Sequence, residues 1–189
     1  RLMDRLNVIE KLKNIGFSNN SIEKLAVFRE ILLNYNKRHN LIAKSTENSI
    51  WDRHILDSAQ IVKYIGNEIF NISDFGSGAG FPGIILSIFD ENNKFHVKLY
   101  EKSAIKRDFL RYVSKKIGIK IEIRENVYEK NINTDLIVCR AFKKLGEIIR
   151  ISREMIKKPH KIIILKGKNA QSEINNVPLH KNYRYKLEN

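Results

Sequence analysis

The fold of this chain is decided by the stretch Asp74-Phe75-Gly76-Ser77-Gly78-Ala79-Gly80-Phe81-Pro82-Gly83. An apolar, β-prone segment precedes it at residues 69–72, and a second apolar segment follows at residues 84–86. This order predicts a strand, a glycine-rich loop and a helix. Glycine lets a ligand approach the backbone closely, and the first turn of a helix directs unpaired N–H groups outward. The stretch therefore predicts a site for a nucleotide-like cofactor; a glycine-rich turn without a ligand is the plainer alternative.

The spacing of the glycines narrows the choice of cofactor. Gly78, Gly80 and Gly83 match the G-x-G-x-x-G pattern of dinucleotide-binding folds, so an NAD(P)-dependent oxidoreductase is one alternative. Gly76 extends the run to G-x-G-x-G, and Asp74 before it can pair with a ligand ammonium but would repel a nearby pyrophosphate. This combination resembles the first motif of class I S-adenosylmethionine methyltransferases. A P-loop is excluded because no Gly-Lys-Ser/Thr follows the glycines.

Length and composition indicate the class of protein. The 189 residues suffice for one domain with an extension and a sizeable core. No apolar run approaches the roughly 18 residues of a membrane span, and no signal peptide is visible. The single cysteine, Cys139, fits a reducing compartment, and the scattered histidines argue against a metal site. We therefore expect a cytoplasmic protein without membrane or metal, and a monomer.

The charge balance is strongly basic. Lys and Arg number 35 against 21 Asp and Glu, which gives a net charge of +14. An excess of this size is expected of a protein that binds a phosphate backbone. The chain is also rich in Lys, Ile and Asn, a bias that AT-rich coding can produce by itself. The charge supports a nucleic-acid partner without establishing one.

The hydrophobic pattern divides the chain near residue 68. Residues 1–68 show helical spacing and predict an N-terminal helical extension with three helices, the first ending at Gly16. The third helix is expected to start after Ser45 or Thr46 and to bury Ile50, Trp51, Ile55, Leu56 and Ala59. Residues 69–189 alternate strands with helices and predict a Rossmann-like domain.

The second segment predicts a doubly wound α/β sheet, because alternating βαβ units give parallel strands with right-handed crossovers. Strands are expected at residues 70–75, 95–101, 119–123, 135–139 and 162–165, with helices at 82–89, 104–117 and 145–156. Residues 183–187 resemble the start of a further strand.

Topology assigns roles to residues at the strand ends, because ligands of open α/β sheets bind beyond the carboxyl ends of the strands. Glu101, after the second strand, can accept hydrogen bonds from ribose hydroxyls; a surface ion pair is the alternative. Adenine is expected beside Asn126-Val127-Tyr128. Arg140, after the fourth strand, can bind the cofactor carboxylate or an RNA phosphate, or can be an ordinary helix-flanking arginine.

Several segments together resemble the bacterial 16S rRNA guanine-N7 methyltransferases, also called the glucose-inhibited division protein B family. The resemblance covers nearly the whole chain, and the Arg-His-Ile-Leu-Asp-Ser segment beside Gly-Ala-Gly-Phe-Pro-Gly is highly specific. The matching segments are Asn40-Leu41-Ile42, residues 53–58, residues 74–83, Lys106-Arg107, Phe109-Leu110-Arg111, Arg140-Ala141-Phe142 and Leu165-Lys166-Gly167.

The resemblance implies S-adenosylmethionine as cofactor, with contacts at Gly76, Phe81, Val127, Tyr128 and Arg140. It implies that the substrate is guanine 527, in the 530 loop of 16S rRNA, so that the partner is that RNA or the small ribosomal subunit. Two positions depart from the family: Glu101 stands where many members have Asp, and Cys139 where Ser is common. The closing strands of the family are expected to be incomplete.

The implied chemistry needs no general base, because guanine N7 carries a lone pair and no proton. Arg140 and Lys166 are candidates for positioning, and orientation can supply most of the rate. Candidate RNA-binding residues are Arg53, His54, Lys106, Arg107, Arg140 and Lys166. A local ion pair at Arg53 and a solvated helix face at Lys106 and Arg107 are the alternatives.

Two other classes of protein remain open at this stage: the NAD(P)-dependent oxidoreductase, and a non-catalytic RNA-binding protein with a degenerate methyltransferase fold. A different methylation mechanism is a further alternative. Cys139 at the end of the fourth strand could act as a nucleophile toward a pyrimidine C5, although a buried packing role is the commoner one for such a cysteine.

Overall fold

The computed structural model describes residues 2–140 and 145–165, and beyond them only Asn175 and Lys186. Five parallel strands form one sheet in the order β3-β2-β1-β4-β5. The strands are β1 Asn71–Phe75, β2 His96–Tyr100, β3 Glu122–Arg124, β4 Leu136–Arg140 and β5 Lys161–Leu165. The strand order reverses between β1 and β4, which is where such sheets bind their ligands. The predicted doubly wound α/β fold is confirmed.

Helices pack on both faces of this sheet, and further helices form the N-terminal segment. They are α1 Leu2–Ile15, α2 Asn19–Asn36, α3 Asp57–Ala59, α4 Gly83–Phe89, α5 Ala104–Ile117 and α6 Leu145–Met155. Ser18 caps α2 and Ser103 caps α5, each accepting a hydrogen bond from a backbone N–H of the first turn. Gly118 ends α5 in the left-handed conformation that favours glycine.

Two predicted elements differ in detail from the structure. The third helix is a series of helical turns of changing width: a 3-10 turn at Lys44–Ser49, a π-helical segment at Ile50–Leu56, α3, and a 3-10 turn at Gln60–Tyr64. Its predicted apolar side is nevertheless buried. β3 begins three residues later than predicted, because the apolar residues before it pack on the core without pairing in the sheet. Lys166 and, apart from Lys186, the predicted strand at residues 183–187 lie outside the described residues.

The alternation of side chains along each strand separates two cores. Ile72, Leu99 and Val138 face the core shared with α1, α2, α4 and α5, whereas Phe75 and Ile137 face the core beneath α6. This parity decides the position of the strand-end residues. Side chains two residues apart on a strand point to the same face, so Arg140 shares a face with Leu136 and Val138. This is the face of the sheet on which the N-terminal segment packs.

The N-terminal helices share the larger core with the sheet domain. Phe28 of α2 is fully buried, with its ring 5.4 Å from that of Phe81 and 6.3 Å from that of Phe109. The boundary near residue 68 therefore separates two segments with different sequence patterns, and both segments contribute to one continuous core. Within the described part of the chain, no helix is long and apolar enough to cross a membrane.

We predict that Phe28→Ala lowers the free energy of unfolding by about 3–5 kcal/mol, because it leaves a cavity between the N-terminal segment and the sheet domain. Val27→Ala is the matched control: Val27 lies on the same helix but is 47% exposed, so its loss should cost less than about 0.5 kcal/mol. Chemical denaturation of both variants measures the difference. Equal effects would contradict a shared core at Phe28.

Candidate active site

The end of β2 holds the glycine-rich loop in place. The carbonyl oxygen of Tyr100 accepts hydrogen bonds from the N–H groups of Gly76 and Ser77, at 2.8 and 3.1 Å. The Glu101 carboxylate accepts from Gly78 N at 2.9 Å and from Ser103 N at 2.7 Å. Glu101, predicted to bind ribose, thus also fixes the loop and the start of α5. Each carboxylate oxygen has a further lone pair with which to accept from a hydroxyl.

Asp74 is completely buried at the end of β1. Its Oδ2 accepts a hydrogen bond from Gly83 N at 2.8 Å. Burial raises the pKa of this carboxyl well above its usual range; the Gly83 hydrogen bond opposes the rise, Glu101 adds to it, and Arg140 opposes it. Among the described residues, no polar atom pairs with Oδ1 of Asp74 or with Oγ of Ser77, although both atoms are buried. Such orphaned atoms beside an open loop are what a cofactor ammonium or carboxylate would complete.

Two glycines of the loop have different physical roles. A Cβ at Gly83 would lie 2.2 Å from the side chain of Leu99 and 2.7 Å from Oδ2 of Asp74, so only glycine lets α4 pack against β1 and β2. A Cβ at Gly78 would meet nothing within 4 Å, and Gly78 has a φ of +55°. The open space at Gly78 therefore lies where a ligand can approach the backbone.

The predicted adenine region follows β3. Val127 is buried among Phe75 and Tyr100, whereas Tyr128 is 44% exposed. The side chain of Asn126 accepts a hydrogen bond from Tyr128 N at 3.0 Å and shapes the turn. The turn thus places an exposed aromatic ring beside a backbone held by Asn126, and the adenine contact at Val127 and Tyr128 stays a prediction.

Arg140 at the end of β4 contacts the N-terminal segment. Its Nη1 lies 2.7 Å from Nδ1 of His54, and its Nη2 lies 3.5 Å from the carbonyl oxygen of Arg53. Nε2 of His54 lies 2.9 Å from Oγ1 of Thr46. Burial lowers the pKa of the Arg140 guanidinium, while Asp57 and then Asp74 counteract that effect. A guanidinium so placed keeps its charge at neutral pH.

The ring of Phe81 joins these parts. It stacks on the His54 imidazole with centroids 5.0 Å apart, and the Arg140 guanidinium carbon lies 5.6 Å from its centre. Phe28 contacts the same ring edge-to-face. The glycine loop, the N-terminal segment and β4 therefore meet around one buried aromatic side chain.

The other RNA-binding candidates lie in different surroundings. Arg53 is exposed beside Arg140, whereas His54 is buried, with a protein partner at each ring nitrogen. Arg107 donates to the carbonyl oxygens of Glu101 and Lys102 and so completes the end of β2. Lys106 is half-buried near the start of α5. Lys166 lies outside the described residues.

Cys139 faces away from this site. It is fully buried in the core beneath α6, on the opposite side of β4 from Arg140. A nucleophile must reach the substrate, so this position favours the packing role over attack on a pyrimidine.

Sequence reasoning overlooked three contributors. Ser77 places in the loop a buried hydroxyl that has no partner in the described part of the chain, Thr46 fixes the His54 ring, and Ser103 binds Glu101. Ser77 stands inside the glycine motif and Ser103 follows Glu101 closely, so adjacency could have indicated both. Sequence spacing could not have shown that Thr46 is linked through His54 to Arg140 of β4, because this link depends on the turns between Lys44 and Leu56.

Comparison with solved structures agrees with the fold. A S-adenosylmethionine-dependent methyltransferase from Clostridium acetobutylicum has a TM-score of 0.51 at 19% sequence identity, over 69% of this chain and 56% of that one. The fold is that of the class I S-adenosylmethionine methyltransferases.

Sequence relatives identify the family. A family model described as rRNA small subunit methyltransferase G matches residues 21–185. The relative of that name in Orientia tsutsugamushi (strain Ikeda) is 35% identical over 188 residues, 99% of this chain and 90% of the relative. The one in Rickettsia akari (strain Hartford) is 41% identical over 154 residues, 81% of this chain and 78% of the relative. The chain belongs to the rRNA small subunit methyltransferase G family and is a methyltransferase that uses S-adenosylmethionine, which sets the oxidoreductase alternative aside.

We predict that Gly78→Ala weakens S-adenosylmethionine binding at least tenfold while the protein stays folded, because the new methyl group occupies the space at the loop. Gly118→Ala is the matched control. Gly118 has a similar φ of +70° and equally open surroundings, but it ends α5. Both variants should lose about 1 kcal/mol of stability through backbone strain. Calorimetric titration measures the affinity, and equal affinities would contradict the position of the cofactor.

We also predict that the His54 imidazole stays neutral down to about pH 4. Its pKa is lowered from 6.5 to about 4, chiefly by burial and then by the charge of Arg140; Asp52 opposes the shift, and Arg53 adds to it. In the unfolded chain the ring takes up its proton near pH 6.5, whereas in the folded chain it does so only near pH 4. The contribution of His54 to the free energy of unfolding is therefore complete above pH 6.5 and is lost as the pH falls toward 4, by about 1.4 kcal/mol per unit of pKa depression. NMR titration of the ring measures the pKa, which should rise in Arg140→Ala. A pKa near 6.5 in the intact protein would contradict the buried contact.

Proposed function

We propose that this enzyme methylates N7 of a guanine in 16S rRNA, and specifically guanine 527 of the 530 loop. The observation that carries the proposal is the position of Arg140: it lies at the carboxyl end of β4, half-buried and beside Phe81 of the glycine loop. A cation there can meet an RNA substrate next to the cofactor. The names of the relatives, which are small-subunit rRNA methyltransferases, support the class of substrate.

The residues around the loop fit S-adenosylmethionine. Asp74 and Ser77 would hold the amino acid part with their buried polar atoms, Glu101 would accept from the ribose hydroxyls, and the turn at Val127–Tyr128 would hold the adenine. When bound, the cofactor supplies an electrophilic methyl group. The protein contributes a fixed loop, with Gly78 leaving room for the ligand and the end of β2 keeping the backbone in place.

The side chains of the site support N7 of guanine as the substrate atom. His54 makes a poor general base, because its Nδ1 is engaged by Arg140 and burial keeps its pKa near 4. Guanine N7 needs no base, since it carries a lone pair and no proton. Arg140 can donate to the guanine O6 or to a neighbouring phosphate, leaving N7 free to react. Rate enhancement then comes from orientation and from exclusion of water.

The wider surface supports a ribosomal partner. The net charge of +14 favours binding to a phosphate backbone. The second half of α5 carries exposed basic residues, among them Arg111, Lys115 and Lys116. We propose that the enzyme acts as a monomer in the cytoplasm, where the small subunit is assembled.

Methyl transfer to small subunits from cells that lack the enzyme tests this proposal. Labelled S-adenosylmethionine and mapping of the modified base should place the label on guanine N7. The rate should show no kinetic pKa from a protein base between about pH 6 and 8.5. Arg140→Ala should lower the rate by about 100-fold or more, through lost orientation. Cys139→Ser should keep full activity.

Label on a pyrimidine C5, together with an inactive Cys139→Ser, would overturn the proposed chemistry. Label on another guanine atom with a clear basic limb in the pH profile would also contradict it. Full activity of Arg140→Ala would remove Arg140 from the substrate site.

A further inference from the structure

We infer that His54 is a positioning residue, which holds the Arg140 guanidinium at the substrate site and does not itself contact RNA. The inference rests on the proposed function for the role of Arg140. The inference gives two residues of the Arg-His-Ile-Leu-Asp-Ser segment different roles: His54 acts from inside the protein, whereas the neighbouring Arg53 is exposed.

The direction of each hydrogen bond follows from the chemistry of the donors. A guanidinium can only donate, so Nδ1 of His54 must accept from Arg140 and the ring proton must lie on Nε2. Nε2 then donates to Oγ1 of Thr46, which in turn donates to the carbonyl oxygen of Ala43 at 2.7 Å. A single directed chain therefore runs from the end of β4 to the backbone of the N-terminal segment.

The backbone at the far end of this chain is itself anchored. Asn36, at the end of α2, is buried, and its side-chain oxygen accepts from the N–H groups of Leu41 and Ile42 at 2.8 and 3.0 Å. Its amide nitrogen donates to Glu47 at 2.6 Å. The segment that carries Ala43 and Thr46 is thus fixed on both sides.

The surroundings keep His54 in the accepting state. His54 as a whole is 8% exposed and its ring stacks on Phe81, so the plane of the ring is fixed as well as its hydrogen bonds. The charged groups that face it are Arg140, Asp52 and Arg53. A protonated ring would place a second cation against Arg140 and would remove the acceptor.

The arrangement matters because arginine is a long, flexible side chain. The contacts with His54 and with the Arg53 carbonyl engage two of the five N–H donors of the guanidinium. A group that is anchored before the substrate arrives loses less conformational entropy on binding. A misplacement of about 1 Å can lower a rate by about 100-fold, so loss of the anchor should lower kcat.

A double-mutant comparison tests this inference. His54→Ala should lower kcat for methylation of small subunits by about 10- to 100-fold, with little change in S-adenosylmethionine affinity. Because His54 acts through Arg140, the double variant should be no slower than Arg140→Ala alone. Added imidazole should partly restore His54→Ala but not Arg140→Ala. His96→Ala is the matched control, since His96 is exposed and pairs with Glu122 between β2 and β3.

Additional variants and spectra separate this role from a structural one. His54→Asn keeps an acceptor near the position of Nδ1 and should retain more activity than His54→Ala at equal thermal stability. In the unaltered protein, nitrogen NMR should show a proton on Nε2 and none on Nδ1. If His54→Ala does not fold, these two measurements decide the question.

Independent, multiplicative losses in the double variant would overturn the inference, as would a protonated Nδ1. A His54→Ala defect confined to KM for the small subunit, with a shallower salt dependence, would mean direct RNA contact. Full activity of His54→Ala beside an impaired Arg140→Ala would refute the positioning role but leave the proposed function intact. Full activity of Arg140→Ala would refute the proposed role of that residue instead.

Discussion

The packing of Phe81 is the interaction on which the site depends. Its ring belongs to the glycine loop, yet it contacts Phe28 of α2, His54 of the N-terminal segment and Arg140 of β4. A loop rich in glycine has a high conformational entropy in the unfolded chain and needs such contacts to be ordered. The aromatic side chain supplies them at the point where the loop turns into α4. The glycine loop and Arg140, the residue proposed to face the substrate, are therefore ordered by the same core.

Because of this packing, the N-terminal helices support the residues of the candidate site. In sequence they look like an extension, since their helical period stops where the βαβ pattern begins. In space, Phe28 fills the core below Phe81, and Asn36 and Thr46 order the turns that present His54. The same place holds the Arg140 charge: the neutral imidazole of His54 accepts a hydrogen bond from this half-buried cation, which the carboxylates of Asp57 and Asp74 also stabilise.

The sequence predicted the sheet and the cofactor loop because their signals are local. Glycine spacing, strand alternation and helix caps each lie within a few residues, and strand ends in a parallel sheet converge by topology. The contact between His54 and Arg140 spans 86 residues and could not be predicted, nor could the π-helical turns that place His54. The spacing of apolar residues predicted which side of residues 44–64 is buried, but not whether each turn is a 3-10, α or π turn. The burial of His54, predicted as an RNA contact, likewise depends on tertiary packing.

The most direct test of this account is an NMR titration of the protein with S-adenosylhomocysteine, beside a matched titration with NAD. The account predicts that S-adenosylhomocysteine shifts the amide signals of Gly76, Gly78 and Phe81 together with those of the turn at Val127–Tyr128, while NAD leaves them unchanged. Changes confined to other parts of the fold, or an equal response to NAD, would contradict the assignment of the site on which the proposed methyl transfer depends.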